Sequence, residues 1–312
     1  MTPDDTALLL GAGHTTHRMG SAMVHLEDSL VTTEWLQHHL GTDGLSVIDI
    51  RGYVNSRDIG GGQQVADYVP ATDEYLAAHV PGSVFVDWTV DITDPDDPVK
   101  TQIAPLERFK RAMEERGIGD ETAVVIIDHS SGHFATRMWW ALRYYGHDNV
   151  AILDGGFKKW QREGRPITDI VPSPTSAEFT PMIRPDIRAT WQDVAEKIDS
   201  PDAVIVDARD ADTFTGRVWR GRRKGHIPSS VNLTSKLLFA PDGTWKSDEE
   251  LAELVAGAGL TPERKTIAYC NGGVTATAVL FALHRLSNNN FANYDGSWNE
   301  WGERLDLPVE SD

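Results

Sequence analysis

Short, nearly all-apolar runs alternate with longer amphipathic stretches along this chain. In its second half the runs are Ala203–Val206, Val231–Leu233, Thr266–Tyr269 and Phe291–Tyr294. Each is too short for a helix and lacks the strict apolar–polar alternation of a strand with one wet face. Strands of this kind are buried on both faces, as in a parallel sheet covered by helices. The intervening stretches carry apolar residues at helical spacing, and Ala276, Val279, Leu280, Leu283 and Leu286 form one such stripe. In the first half, Val124–Ile127 likewise runs into a stretch carrying Met138, Trp139 and Leu142. The pattern predicts an α/β fold made twice, each unit a parallel sheet with helices on both faces.

Internal repetition supports two units. Val47-Ile48-Asp49-Ile50-Arg51 recurs as Val204-Ile205-Val206-Asp207-Ala208-Arg209, and His79-Val80-Pro81 recurs as His226-Ile227-Pro228. Asp154-Gly155-Gly156-Phe157, ending in Trp160, recurs as Asp295-Gly296-Ser297-Trp298, ending in Trp301. The offsets are 158, 147 and 141 residues, in one unbroken order, as loops of different length would make them. Between the copies, Pro166, Pro172, Pro174, Pro181 and Pro185 forbid a helix or a sheet interior. The expected organisation is one unit over 24–166, an extended linker over 167–186 and a second unit over 187–312. Thr190, with Asp193 three residues on, is placed to cap the first helix of the second unit. Residues 1–22 read as a loose tail ahead of Met23.

Composition narrows the function. The net charge of −18 disfavours nucleic acid and anionic lipid as partners. No apolar run approaches the length of a membrane helix, and Asp4 and Asp5 stand where a signal peptide carries cations. A single cysteine excludes an intramolecular disulfide and a multi-thiolate metal site. These features predict a cytoplasmic protein that binds neither membrane nor nucleic acid and needs no metal.

That cysteine is the candidate nucleophile. Strand Thr266–Tyr269 runs directly into Cys270-Asn271-Gly272-Gly273-Val274-Thr275, and a helix follows. In open parallel sheets, sites lie at the carboxyl ends of strands. Two adjacent glycines let the backbone curl with its N–H groups turned inward. Together with the positive end of the helix dipole, worth about 0.3–2 kcal/mol, such a nest stabilises an anion, here a thiolate or a persulfide. A lone cysteine is more often inert packing, but its position at a strand–Gly-Gly–helix junction argues against that reading. In the first unit Asp128 stands in the same place, and a carboxylate cannot carry sulfur. The first unit is therefore expected to be catalytically silent.

These residues resemble the tandem-domain rhodaneses, the thiosulfate and 3-mercaptopyruvate sulfurtransferases. The resemblance spans Leu26 to Val309 and includes both His-x-Pro motifs, both Asp-Gly segments with their tryptophans, and the Cys-x-x-Gly-Val-Thr loop of the second unit only. It implies two rhodanese-like domains and a two-step cycle. Cys270, within the loop Asn271, Gly272, Gly273, Val274 and Thr275, would take a sulfane sulfur from a small-molecule donor. It would then pass that sulfur to a thiol or cyanide, with no cofactor. Thiosulfate-type loops resemble Cys-Arg-Lys-Gly-Val-Thr and mercaptopyruvate-type loops Cys-Gly-Ser-Gly-Val-Thr. Cys270-Asn271-Gly272-Gly273 has neither the cations nor the serine, and its neutrality leans to the second type. The arginine that both types tend to place before the phenylalanine after the Asp-x-Arg strand is Thr213 here.

Anion recognition must then come from elsewhere. Arg217, Arg220, Arg222, Arg223 and Lys224 crowd eight residues of an acidic chain. Arg222, together with Arg220 or Arg217, is the candidate donor-binding set, a guanidinium fork being suited to a carboxylate or sulfonate, and Trp219 is placed to pack on the first domain. The paired Asp207, Arg209 and His226 recur in the silent copy and read as structural. A cysteine phosphatase would need an arginine at position 276, which is Ala276. A persulfide relay handing sulfur to a partner protein remains the alternative to an enzyme that turns over small molecules.

Overall fold

The two sheets have the same strand order. A computed structural model describes residues 24–129 and 132–311, so the N-terminal tail read from the sequence lies outside the described residues. In the first domain the all-parallel order is Leu30–Val31, Val150–Leu153, Ala123–Ile127, Leu45–Asp49 and Val84–Phe85. In the second it is Arg188–Ala189, Phe291–Tyr294, Lys265–Tyr269, Ala203–Asp207 and Val231–Asn232. The central strands Ala123–Ile127 and Ala203–Asp207 are buried at every position, which is why they are continuously apolar up to their last residue.

The outer face of the first sheet packs on Leu36, Phe157 and Trp160, and that of the second on Val194, Trp298 and Trp301. The inner faces share one apolar core that runs through both domains. At its centre the helices His133–Tyr144 and Ala276–Arg285 pack together. Their equivalent residues Thr136 and Thr277 hydrogen-bond at 3.0 Å, and Trp139 meets Phe281 edge-on at 5.1 Å. The repeated aspartates lock the same interface from both sides. Asp154 accepts from the Trp245 N–H and Asp295 from the Ile103 N–H, each at 2.8 Å. No described helix is long and apolar enough to cross a membrane.

The repeated Asp-x-Arg and His motifs make equivalent local contacts in both domains, and Arg209 also lines the cavity that holds Cys270. Arg51 and Arg209 chelate Asp49 and Asp207 two residues earlier in fully buried pairs. His79 reaches the carbonyls of Tyr75 and Ile170, while His226 reaches that of Phe214 and stacks on its ring at 3.7 Å. Thr190 and Asp193 form the expected capping box.

Residues 169–184 are extended and have neither helix nor strand. They are nonetheless strapped to the first domain. Phe179 is buried against Phe109, and the N–H groups of Met182 and Arg184 donate to the carbonyls of Tyr145 and Tyr144.

One element escapes the repeat. In the first domain 30 residues separate Asp49 from His79, whereas 19 separate Asp207 from His226. The excess forms an antiparallel hairpin, Gly52–Gly60 and Gln63–Pro70, turning at Gly60-Gly61-Gly62. All three glycines have positive φ, between 66° and 117°, which side-chain-bearing residues rarely adopt. The hairpin reaches the second domain, where Gln63–Gln64 pair in parallel with Trp219–Arg220.

Candidate active site

Strand Lys265–Tyr269 ends at Cys270, which is only 3% exposed. From there the carbonyls of the loop are tied outward one after another. Those of Cys270 and Asn271 accept the N–H groups of Trp298 (3.0 Å) and Asn299 (2.7 Å). That of Gly272 accepts Thr101 Oγ1 from the first domain at 2.8 Å. That of Gly273 accepts Arg137 Nη1 (3.2 Å) and Asn293 Nδ2 (3.0 Å), and that of Val274 accepts Thr277 Oγ1 (2.6 Å). In a trans peptide the C=O and the following N–H point opposite ways. Five carbonyls held outward therefore turn the following N–H groups inward. Among the described residues none accepts a hydrogen bond from the N–H groups of Asn271 through Ala276.

The glycines allow this curl for different reasons. Gly273 has φ +68°, and a Cβ there would stand 2.8 Å from the Asp295 carbonyl oxygen. Gly272 has ordinary φ, but a Cβ would collide with Thr101 Oγ1 at 2.0 Å. Thr275 precedes helix Ala276–Arg285 without a side-chain capping bond, so its hydroxyl is free to face the cavity.

The equivalent turn of the first domain is already filled by an anion-binding arrangement. Asp128 accepts the N–H groups of Gly132 (3.2 Å), Phe134 (3.2 Å) and Ala135 (3.3 Å). Burial raises its carboxyl to about 6, against the lowering effect of these bonds. Gly132 shares the φ of +68° found at Gly273.

Both turns open onto one cavity of about 680 Å³ between the domains. Cys270, Asn271, Gly272, Val274 and Thr275 line one side, with Asp128, His129 and His133 across from them. Burial lowers both histidines to about 4, so they are uncharged near neutral pH. Gly273 is not in the lining; its role is to bend the chain.

Of the three candidate arginines, the structure brings only Arg220 to the cavity, where it is half-buried and donates to Ser56 Oγ of the hairpin. Arg217 is turned out to solvent in an ion pair with Asp212 at 2.7 Å. Arg222 is exposed beyond the strand Trp219–Arg220, where Glu303 accepts its N–H. The pairing of Trp219–Arg220 with Gln63–Gln64 carries Arg220 to the cavity, and Arg222 lies past the end of that pairing. Arg223 is used structurally, holding the carbonyls of Gly302, Leu307 and Trp301. Trp219 does join the first domain, through its N–H to the Gly62 carbonyl at 3.1 Å. Lys236 also lines the cavity, paired with Asp210 at 2.8 Å; the sequence reading missed it because it is isolated and belongs to no cluster.

Ser297 was missed as well. Its Oγ accepts the Cys270 N–H at 3.1 Å and donates to the Tyr294 carbonyl at 2.7 Å. It does so at φ +50°, where the first domain has Gly156 at +56°. The sequence signal was there, a serine where the repeat has glycine. Keeping a Cβ in left-handed backbone costs about 1–2 kcal/mol, and the bond to Cys270 is the reason to keep it. Ser297→Gly is expected to leave Tm nearly unchanged, because relief of that strain offsets the greater freedom of glycine in the unfolded chain. The same change should lower kcat/KM for sulfur transfer about tenfold by loosening the nucleophile. An unchanged kcat/KM would show that the loop positions Cys270 without it.

The rhodanese-like domain family matches residues 32–163 and 190–304. A putative thiosulfate sulfurtransferase of Saccharopolyspora erythraea is 32% identical over 91% of this chain and 97% of its own length. The 3-mercaptopyruvate sulfurtransferase of Escherichia coli K12 is 33% identical over 90% and 97%. Among solved structures, SseA from Escherichia coli, described with the rhodanese fold of the 3-mercaptopyruvate sulfotransferases, superposes with a TM-score of 0.76. It is 30% identical, over 86% of this chain and 98% of that one. EanB in complex with ergothioneine superposes with a TM-score of 0.77 at 25% identity, over 91% of this chain and 70% of that one. With both halves matched in order and over nearly their full length, the chain belongs to the rhodanese-like family and is a tandem-domain sulfurtransferase.

Proposed function

We propose that the enzyme moves a sulfane sulfur from thiosulfate or 3-mercaptopyruvate, through a persulfide on Cys270, to a small thiol or cyanide. The observation that carries this reading is the run of N–H groups from Asn271 to Ala276 that meets no acceptor among the described residues, directly following a lone buried thiol. The Cys270 thiolate attacks the outer sulfur of the donor. A new S–S bond forms as the donor's S–S or C–S bond breaks, and sulfite or the enolate of pyruvate leaves. The enolate takes a proton from water. The terminal sulfur of the persulfide then meets the N–H groups of Asn271 to Ala276, just as the Asp128 carboxylate meets those of the first domain's turn. In the second step the acceptor attacks that sulfur and Cys270 leaves as a thiolate, which the N–H groups and the helix dipole stabilise. No cofactor enters either step.

Arg220 is the candidate grip on the donor's carboxylate or sulfonate, and Lys236, paired with Asp210, lines the same cavity. Parallel steady-state kinetics with thiosulfate and 3-mercaptopyruvate test the donor assignment, and inactivity with both would refute it. Arg220→Ala is expected to raise the donor KM about tenfold, and Arg220→Lys nearly as much because the planar fork is lost. The acceptor step, measured on preloaded enzyme, should change less. A donor kcat/KM within a factor of about two of wild type in both variants would move the anion site elsewhere.

A further inference from the structure

The hairpin Gly52–Pro70 has no counterpart in the second domain and is not needed to build either sheet. Yet it is held at both ends and across the domain boundary. At its tip Gly62 accepts the Trp219 N–H, Gln63 Nε2 donates to the Gly221 carbonyl at 3.2 Å, and Ser56 meets Arg220. At its base Tyr68 packs edge-on to Trp88 at 5.6 Å, and its hydroxyl lies 3.5 Å from Nδ2 of Asn299, whose own N–H holds the Asn271 carbonyl. Between these anchors Tyr53, Val54, Ser56, Gln64 and Tyr68 form a wall of the Cys270 cavity.

We propose that this hairpin is the specificity element for the acceptor. It restricts the Cys270 persulfide to low-molecular-weight thiols and shuts out a thiol carried by a folded protein. The inference rests on the persulfide reading above. A cavity of about 680 Å³ is of the size that holds a small molecule, typically about 300–1,000 Å³. A folded partner instead needs about 800 Å² of its own surface in contact, and a cysteine on it would have to reach past the hairpin to a residue 3% exposed. A small thiolate can enter and attack the outer sulfur. Its new S–S bond forms as the bond to Cys270 Sγ breaks, and the electron pair returns to Cys270.

The test compares two acceptors on enzyme preloaded with sulfur, glutathione and reduced thioredoxin, with loading followed by intact mass. For the wild type, kcat/KM should favour glutathione by at least about 100-fold. Gly62→Val places a Cβ against the Arg217 carbonyl in backbone of φ +91°, prising the tip from the second domain through a residue that is not itself in the cavity lining. A second variant replaces residues 55–67 with Asn-Gly, a natural two-residue turn. Because Arg220 loses its Ser56 partner in the second variant, both are loaded with saturating donor until intact mass shows full occupancy, and the preference should then narrow at least about tenfold, through faster transfer to thioredoxin. Equal wild-type rates with the two acceptors would overturn the proposal. So would variants that load sulfur but keep the full preference. Wild-type enzyme that loads from neither donor would instead refute the persulfide reading, and the proposal with it.

Discussion

Cys270→Ser is expected to abolish sulfur loading and turnover while leaving the fold intact. The side chain is buried at the end of a strand, the backbone N–H and C=O of Cys270 are held by Ser297 and Trp298, and among the described residues none hydrogen-bonds to the sulfur. Serine is smaller and fits the same space, so a stability change of no more than about 1 kcal/mol is expected. Chemistry is another matter. A hydroxyl is a far weaker nucleophile than a thiolate at neutral pH and cannot hold a sulfane sulfur for transfer. Intact mass after incubation with donor should show one added sulfur atom in the wild type and none in the variant. Turnover retained by Cys270→Ser would end the mechanism, since this chain has no second cysteine.

Asp295→Ala should produce the largest loss of stability. Asp295 is 1% exposed and accepts Arg137 Nη1 at 2.6 Å and the Ile103 N–H at 2.8 Å, with Arg188 at 3.2 Å. Arg137 is equally buried and also holds the carbonyls of Gly273 and Thr101. Removing the carboxylate strands a guanidinium in the domain interface, at a cost of about 3–5 kcal/mol. That is a large share of the roughly 5–15 kcal/mol by which folded proteins exceed their unfolded states. Thermal unfolding should fall by about 10 °C, and sulfur transfer should fall with it because the Gly273 bend loses its anchor. The double variant Asp295→Leu/Arg137→Met replaces the pair with apolar volume and is expected to recover much of the stability. It should not recover full activity, because the Gly273 carbonyl then keeps only its bond from Asn293 Nδ2. Recovery of both would mean that the pair serves the interface alone.

Two tandem α/β units could be read directly from the chain, for reasons of solvation. Strands buried on both faces are nearly all apolar, so Ala203–Val206 and Thr266–Tyr269 announce a covered parallel sheet. Cys270 was legible for an equally local reason. A strand, two glycines and a helix in succession can only form a tight turn with its N–H groups converging, and sequence neighbours alone build it. What lies across the cleft is not local. Arg217, Arg220 and Arg222 are equivalent in composition, and only the pairing of Trp219–Arg220 with Gln63–Gln64 selects Arg220 for the cavity while Asp212 takes Arg217. That pairing joins residues about 156 positions apart in the chain, at a register that no local propensity encodes. The carbonyl tethers from Thr101 and Arg137 likewise come from the other domain. The chain by itself thus determined two copies of one fold and the proposed nucleophile of one copy. The packing of the two domains decided which charges line the cavity beside Cys270, because that depends on contacts formed only after each sheet is complete.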